Sequence, residues 1–227
     1  MLTRILEPEY MDCSGDAAAY DAMDHTVPNA AVVERLVDLG ATGHLLDLGT
    51  GPGHIPILAC HRFPGVRITA IDAARSMLDI AREKIARAGY ELRITLEIAD
   101  AKRLPYADAS FDGVLSNTIL HHLADPAAML REAVRVLRPG GLLMIRDLFR
   151  PDTREQLDAL VAEHAANDTP EQRKLFADSL RAALTPDELR ELASELDLDG
   201  WEVVVDTDRH MTLQRPMGSG ADPRAIR

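Results

Sequence analysis

Three acidic residues stand at or near the ends of three successive strand-like runs. Asp47 lies in HLLDL, Asp72 ends RITAID and Asp100 ends LRITLEIAD. A carboxylate can accept hydrogen bonds from two hydroxyls at once, which suits a ribose diol, and it can also accept from an exocyclic amine. Three carboxylates around one ligand favour a nucleoside that carries a positive charge, such as an ammonium or a sulfonium group.

A turn with three glycines follows the first of these acids. In LLDLGTGPGH (45–54), Gly49, Gly51 and Gly53 directly precede a predicted helix. Because glycine has no Cβ, a ligand can approach the free backbone N–H groups at the start of that helix. A dinucleotide-binding turn requires G-x-G-x-x-G, whereas His54 occupies the position of the third glycine. The turn therefore favours a cationic nucleoside over a dinucleotide.

Alternating strand-like and helix-like runs form the framework that must position these residues. Five predicted strands are followed by a hairpin of two more, at 44–48, 67–72, 92–100, 111–117, 142–147, 201–205 and 210–214. The predicted helices lie at 54–62, 74–88, 126–137, 186–196 and, as a pair, within 152–184. Regular βα alternation predicts parallel strands with right-handed crossovers, and the hairpin makes the last strand antiparallel. The predicted fold class is α/β, with a doubly wound, Rossmann-like sheet.

Two helical additions are predicted around the main domain. In the first, Asn29 is expected to cap a helix that ends at Leu39. The predicted boundaries are 1–42 for a helical N-terminal cap or lid, 43–215 for the main domain, 150–185 for a helical insert after the fifth strand, and 216–227 for a tail expected to be disordered.

The bulk composition argues against several classes of partner. A net charge of −12 disfavours a nucleic-acid surface, and an aromatic content of 4% leaves few rings to stack on bases. Cys13 and Cys60 cannot form a disulfide framework, which fits a reducing cytosol. The first residues lack the apolar core of a signal peptide, and no apolar run reaches the ~18 residues of a membrane span. A cytoplasmic protein without a membrane span or nucleic-acid partner is expected, and its oligomeric state stays open.

Four ordered motifs resemble the class I S-adenosylmethionine (SAM)-dependent methyltransferases. These motifs are LLDLGTGPG (45–53), ITAID (68–72), IADAKRLPYADASFDGVLSN (98–117) and VLRPGGLLMI (136–145), and the terminal hairpin extends the match. LPYADASFD and the HHL after the fourth strand are most similar to the small-molecule branch related to ubiquinone and menaquinone methyltransferases. The resemblance implies a seven-stranded sheet whose antiparallel last strand lies between the fifth and the sixth.

The resemblance also implies roles for residues along one edge of the sheet. The expected contacts are Asp47, Gly49, Thr50 and Gly51 with the amino acid part of SAM, Asp72 with the ribose, Ala73 and Met77 with the adenine face, Asp100 and the N–H of Ala101 with the adenine edge, and Ser116 and Asn117 with the methionine part and the acceptor. Structural alternatives stay open, with Asp47 as a turn cap, Asp72 as a helix cap and Met77 as a core residue.

Catalysis by this family requires positioning more than chemistry from side chains. A base is needed only if the acceptor must lose a proton, and His121 and His122 after the fourth strand are the candidates. Packing of the loop is the alternative role for this pair. Further candidates for the acceptor side or a lid are Tyr20, Asp24, His25 and Asp147. No metal site is expected, because no group of ligands has a tight sequence spacing.

The sequence therefore predicts transfer of a methyl group from SAM to a small-molecule acceptor, with S-adenosylhomocysteine as the second product. SNTI (116–119) stands where the amide- and base-methylating enzymes have an N/D-P-P-Y/F tetrapeptide, which argues against those substrates. The alternatives are a SAM-binding regulator, a SAM enzyme with a different reaction and a nicotinamide-dependent oxidoreductase. The identity of the acceptor stays open.

Overall fold

The computed structural model describes residues 2–7, 21 and 26–218. Within this part of the chain the strands are β1 (His44–Leu48), β2 (Arg67–Asp72), β3 (Ile94–Ile98), β4 (Phe111–Asn117), β5 (Leu137–Leu148), β6 (Glu202–Val205) and β7 (His210–Arg215). The helices are α1 (Thr26–Asp38), α2 (His54–Arg62), α3 (Arg75–Ala88), α4 (Pro126–Val136), α5 (Arg154–His164), α6 (Pro170–Ala182) and α7 (Pro186–Ser194). A 3-10 turn covers Leu120–His122.

All seven strands form one sheet in the order β3-β2-β1-β4-β5-β7-β6. The first five strands are parallel, and β7 runs antiparallel to both β5 and β6. The predicted fold class is therefore confirmed, including the antiparallel last strand. Strand order reverses direction between β1 and β4, and in open α/β sheets ligands bind at the carboxyl ends of the strands beside such a point.

The central strands are buried on both faces. On one face, Leu46 and Leu48 of β1 pack with Met129 of α4 and Leu189 of α7. The other face contacts the first three helices, and its cluster includes Leu45, Val32, Leu36, Ala59, Cys60, Ala81 and Ile85. Because side chains alternate along a strand, Asp47 points to the same face as Leu45, where it is buried.

Capping boxes start the last three helices. In each, a threonine side chain accepts from the backbone N–H three residues on, and the residue there returns a bond to the threonine N–H; the pairs are Thr153 with Gln156, Thr169 with Gln172 and Thr185 with Glu188. α7 begins at Pro186, as the sequence predicted. α5 and α6 lie within the predicted insert, and no helix of the described residues is long and apolar enough to cross a membrane.

The predicted start of α1 is wrong. The helix begins at Thr26, and Asn29 lies inside it with its side-chain amide 3.3 Å from Nδ1 of His54. Pro28 fits the first turn, because the N–H groups there have no partner within the helix. Residues 2–7 contain no regular secondary structure.

The predicted bounds of two strands also needed correction. β5 begins at Leu137, before the predicted start at 142, and runs through a Pro-Gly-Gly segment with a register shift against β4 at that point. β3 ends at Ile98, because Asp100 turns the chain by accepting the backbone N–H of Lys102. In residues 216–218, predicted as part of the tail, the N–H of Met217 donates to the carbonyl of Leu39 and the N–H of Gly218 to that of Gly140.

Candidate functional site

A cleft that is open to solvent lies at the carboxyl ends of β1 to β4. Its lining consists of Gly49, Gly51, Asp72, Ala73, Ala74, Met77, Ala99, Asp100, Ala101, Lys102, Asn117, Thr118, Ile119, His122 and Leu123. Most of the predicted cofactor contacts are thus brought together. Asp47, Thr50, Ser116, His121 and Asp147 are buried behind this lining.

The glycine turn forms the floor of the cleft. Gly49 and Gly51 have positive φ values of 70° and 54°, which side chains rarely adopt. A Cβ on Gly49 would lie 2.4 Å from Ile119, whereas a Cβ on Gly51 would meet nothing within 4 Å and would occupy open cleft space. Gly53 caps α2 without a side-chain hydrogen bond. The turn therefore borders open space in the cleft, into which a side chain at Gly51 would project.

Asp72 connects this turn to α3. Its Oδ2 accepts from the N–H of Gly51 at 2.8 Å, and its Oδ1 accepts from the N–H of Ala74 at 2.9 Å. The carboxylate thus caps the helix and holds the turn in place. Asp72 also lines the cleft, where a carboxylate is a suitable acceptor for ligand hydroxyls.

Asp47 lies buried beneath the turn, where it is 1% exposed. Among the described residues its Oδ2 has no hydrogen-bond partner. Burial and, to a smaller extent, the negative charge of Asp72 together raise the pKa of Asp47 to about 7, against the opposing effect of the Thr50 side chain. A buried carboxyl oxygen without a partner is unfavourable, and a positively charged group in the turn would stabilise the ionised form of Asp47.

The part of the cleft near the ends of β2 and β3 combines apolar and polar groups. Met77 is buried against Ile80 of the same helix and against Ala74, which precedes that helix. Asp100 accepts from the backbone N–H of Lys102 at 2.9 Å and lies 3.1 Å from its Nζ. This part of the cleft therefore offers both an apolar surface and a hydrogen-bonding carboxylate to a ligand.

The last two residues of β4, Ser116 and Asn117, differ in their position relative to the cleft. Ser116 donates to the carbonyl of Leu48 at 3.0 Å and points away from the cleft. Asn117 lines it, with Oδ1 accepting from Arg146 at 3.1 Å and Nδ2 donating to Thr118 at 3.2 Å. Thr118 has a positive φ of 59°, and such strain in a β-branched residue is typical of functional sites.

Six residues that line the cleft were not predicted from the sequence, namely Ala74, Ala99, Lys102, Thr118, Ile119 and Leu123. All of them lie within a few residues of predicted contacts. Their proximity to the ends of β2, β3 and β4 was the only available signal, since their residue types indicate no particular chemistry.

The two predicted catalytic histidines differ in position. His121 is buried, and its Nδ1 lies 2.6 Å from Oδ1 of Asp147, whose Oδ2 accepts from the His121 backbone N–H at 3.1 Å. Burial alone would lower the pKa of His121, but the charge and hydrogen bond of Asp147 outweigh it and raise that pKa. The pKa of Asp147 is correspondingly held low, because His121 outweighs the effect of burial. His122 lines the cleft.

An N-terminal strap, residues 2–7, lies beside these histidines. Arg4 donates through Nε to the carbonyl of Ala182 at 2.6 Å and through Nη2 to that of Leu123 at 3.1 Å. Glu7 accepts from Ser179 at 3.1 Å, and its Oε2 lies 3.2 Å from Nδ1 of His122. The strap therefore joins α6 to the turn at the cleft edge.

The predicted lid residues Tyr20, Asp24 and His25 lie outside the described residues. Their neighbour Asp21 is described, and its carboxylate lies 2.8 Å from Nε2 of His54 and contacts Nζ of Lys84. These contacts attach this point of the cap to the start of α2 and to α3.

Comparison with known proteins gives a consistent result. Residues 46–145 match a family model described as a methyltransferase domain. Methyltransferase GfsG of Streptomyces halstedii is 37% identical over 130 residues, 57% of this chain and 46% of that protein. A ubiquinone/menaquinone biosynthesis C-methyltransferase, UbiE of Desulfotalea psychrophila, is 37% identical over 120 residues, 53% of this chain and 47% of that protein. The chain thus matches about half the length of these curated relatives.

The fold has a counterpart among solved structures. The crystal structure of a candidate SAM-dependent methyltransferase from Methanococcus maripaludis superimposes with a TM-score of 0.73 at 21% identity. The superposition covers 96% of this chain and 99% of that one. At this identity the likeness establishes the fold, and it extends beyond the segment that the family model matches.

Proposed function

Because this chain belongs to the class I SAM-dependent methyltransferase family, we propose that it transfers a methyl group from SAM to a small-molecule acceptor. The observation that carries the proposal is the pairing of the open glycine turn with the buried, unpartnered carboxyl oxygen of Asp47. A cationic nucleoside satisfies both features at once. The relative named for ubiquinone and menaquinone biosynthesis supports a small-molecule acceptor.

The residues at the cofactor end fit the parts of SAM. In this proposal, Asp72, which lines the cleft at the end of β2, accepts from the ribose hydroxyls. The Gly49–Gly51 turn receives the amino acid part, and the ammonium of that part stabilises ionised Asp47. Met77 and Ala73 contact one adenine face, while Asp100 and the N–H of Ala101 bind its edge.

The chemistry requires little from the side chains beyond alignment. When bound, SAM supplies a sulfonium-activated methyl group, whose C–S bond breaks as the acceptor lone pair forms the new bond, which leaves S-adenosylhomocysteine. Orientation of two reactants can contribute about 7–11 kcal/mol. Asn117, Thr118 and Ile119 form the wall between the two ends, where such alignment must be set. His122 is the candidate to receive a proton there, because His121 is buried behind it.

We also propose a class of acceptor, a location in the cell and a role for the two additions to the sheet. The acidic net charge and scarce aromatic residues support an acceptor other than nucleic acid. A cytosolic location is supported by the small number of cysteines. The helical insert and the N-terminal strap are proposed to close the acceptor end and to exclude water from it.

A labelling screen tests the proposal. The protein is incubated with methyl-labelled SAM and metabolite extracts, and labelled products are identified by mass spectrometry, with a reaction without protein as the control. A labelled small molecule is expected only with the protein, and Asp72→Ala should form less of it at a low SAM concentration. SAM binding without any labelled product would favour a regulatory role instead, and binding of NAD in place of SAM would favour the oxidoreductase.

A further inference from the structure

Three potential metal ligands from distant parts of the chain converge beside the cleft. Oε2 of Glu7 lies 3.2 Å from Nδ1 of His122 and 3.9 Å from Nε2 of His121. One ligand atom from each of the three residues lies within 4.8 Å of the other two. Zinc bonds of about 2.0–2.1 Å place the ligands of a tetrahedral ion roughly 3.3 Å apart. The Glu7–His122 pair already has this spacing, and the ring of His121 has to move closer to Glu7.

The three side chains are largely removed from solvent. The exposed fractions are 11% for Glu7, 4% for His121 and 19% for His122. Within the described residues, Nδ1 of His122 is buried without a well-formed hydrogen bond, although it lies close to Glu7. A buried imidazole nitrogen facing a carboxylate requires either a proton or a cation between them.

Further polar groups hold the ligands in the orientation that a metal requires. Asp147 accepts from Nδ1 of His121, which directs Nε2 of that ring toward Glu7. Ser179 donates to the carboxylate of Glu7 at 3.1 Å. A carboxylate behind a histidine ligand is the usual arrangement in metal sites, where it fixes the tautomer and increases ligand basicity.

We propose that Glu7, His121 and His122 bind a divalent transition metal ion of the zinc class at the acceptor end of the cleft. Two imidazoles and one carboxylate favour such an ion over Mg²⁺ or Ca²⁺, which prefer oxygen ligands. Three protein ligands leave a coordination position open. Because His122 lines the cleft, that position suits an oxygen of the acceptor. The bound ion, which lowers the pKa of that oxygen, then replaces His122 in promoting the loss of its proton, and this role rests on the proposed function.

No metal site was predicted from the sequence, because Glu7 lies far from His121 and His122 along the chain. The strap brings Glu7 to the histidines only through long-range contacts, such as that of Arg4 with Leu123. Arg4 adds a positive charge that opposes a metal ion, whereas Asp147 and Glu7 add two negative charges that favour one. The competing arrangement is an ion cluster in which an imidazolium of His121 lies between Asp147 and Glu7.

A second group of possible ligands provides an internal control. Glu163, His164 and Asp208 also have ligand atoms close together, but two of these residues are exposed. His164 already lies 2.5 Å from Asp208 and 2.9 Å from Arg209. Metal bound at this surface cluster would be lost in His164→Ala and retained in Glu7→Gln.

The test is a titration of metal-free protein with Co²⁺, followed by visible absorption, and with Zn²⁺, followed by calorimetry, with Mg²⁺ for comparison. We expect one Co²⁺ or Zn²⁺ per chain in the unaltered protein and in His164→Ala, and no measurable Mg²⁺ binding. Glu7→Gln and His122→Ala should weaken the affinity by more than about 100-fold, beyond the effect of losing an outer-shell partner.

Absence of binding to the unaltered protein, or equal binding by Glu7→Gln, would overturn the proposal in favour of the ion cluster. Thermal melting of each variant checks that it folds. A SAM titration on the same samples separates this result from the proposed function, since metal binding is read without SAM. Protein treated with a chelator should keep its SAM affinity.

Discussion

The cofactor end and the acceptor end of the cleft are assembled in different ways. The proposed cofactor end consists of turns that directly follow β1, β2 and β3. Asp72 joins the first two of these turns, because it accepts from the backbone N–H groups of Gly51 and Ala74. The acceptor end joins the strap, the turn after β4 and α6, which come from opposite parts of the chain. Binding of the methyl donor therefore depends on short local motifs, whereas the shape of the acceptor end depends on long-range packing.

The largest expected effect comes from His121→Ala at the acceptor end. The side chains of His121 and Asp147 are 4% and 2% exposed, so the substitution leaves a buried carboxylate without its partner. We expect a loss of about 3–5 kcal/mol in the free energy of unfolding, measured by urea denaturation. The control is His164→Ala, whose partner Asp208 is 43% exposed and whose loss should be about 1 kcal/mol or less. Equal losses would mean that the buried His121–Asp147 pair contributes no more to stability than the exposed His164–Asp208 pair.

Asp72→Ala tests the cofactor end. It removes the acceptor of the Gly51 and Ala74 N–H groups and the proposed partner of the ribose. A charge-assisted hydrogen bond contributes about 1.5–3 kcal/mol, so the Kd for SAM should rise at least about tenfold in calorimetry. Asp72→Asn keeps one acceptor oxygen and should have an intermediate Kd. Unchanged affinity in Asp72→Ala would remove the ribose assignment.

The pH dependence of SAM binding tests Asp47. Burial raises the pKa of Asp47 to about 7 in the free protein, so this carboxyl is protonated below that pH. If the SAM ammonium stabilises the carboxylate, affinity should fall by up to about tenfold per unit as the pH drops below 7. Asp47→Asn should bind more weakly at pH 7.5 and lose this dependence. An identical pH profile in the variant would assign the effect to another group.

The raised pKa of Asp47 also predicts how the stability of the fold depends on pH. The pKa of Asp47 in the folded protein lies above its ordinary value of 3.8. The folded state therefore binds more protons than the unfolded state between these two values, and Asp47 makes the fold less stable as the pH rises through that window. Bound SAM should offset this loss, which thermal melting with and without SAM can measure.

The smallest expected effect comes from Gly51→Ala. With φ at 54° the alanine costs about 1–2 kcal/mol in stability, and its Cβ enters the cleft space where the ligand should lie. Gly89→Ala is a matched control, because Gly89 has a φ of 74° with open space around it at the end of α3. Both variants should lose similar stability, but only Gly51→Ala should bind SAM more weakly. Equal SAM affinities would argue against ligand contact at Gly51.

Most residues predicted for the cofactor end line the cleft, because their signals are local. Gly49 and Gly51 directly follow β1, Asp72 ends β2 and Asp100 follows β3, and the βα alternation places all these points at one edge of the sheet. The same alternation, interrupted by the hairpin, predicted the sheet correctly. The end of β3 was missed because a local turn at Asp100 ends the strand early, and the start of β5 because its Pro-Gly-Gly segment belongs to the strand beside β4.

The acceptor end was predicted only in part for the same physical reason. The HHL sequence identified His121 and His122, but nothing local indicated that Asp147 would bury one of them and that Glu7 would approach both. Asn29 was interpreted as a helix cap, although its partner is His54 on another helix. Contacts of this kind have no periodicity or spacing in the sequence.

The most direct test of the central claim is a crystal structure of the protein with S-adenosylhomocysteine. We expect the ribose beside Asp72, the adenine between Met77 and Asp100, and the ammonium group in the turn above Asp47. An empty cleft at saturating concentration, or the nucleoside bound at another surface, would contradict the account.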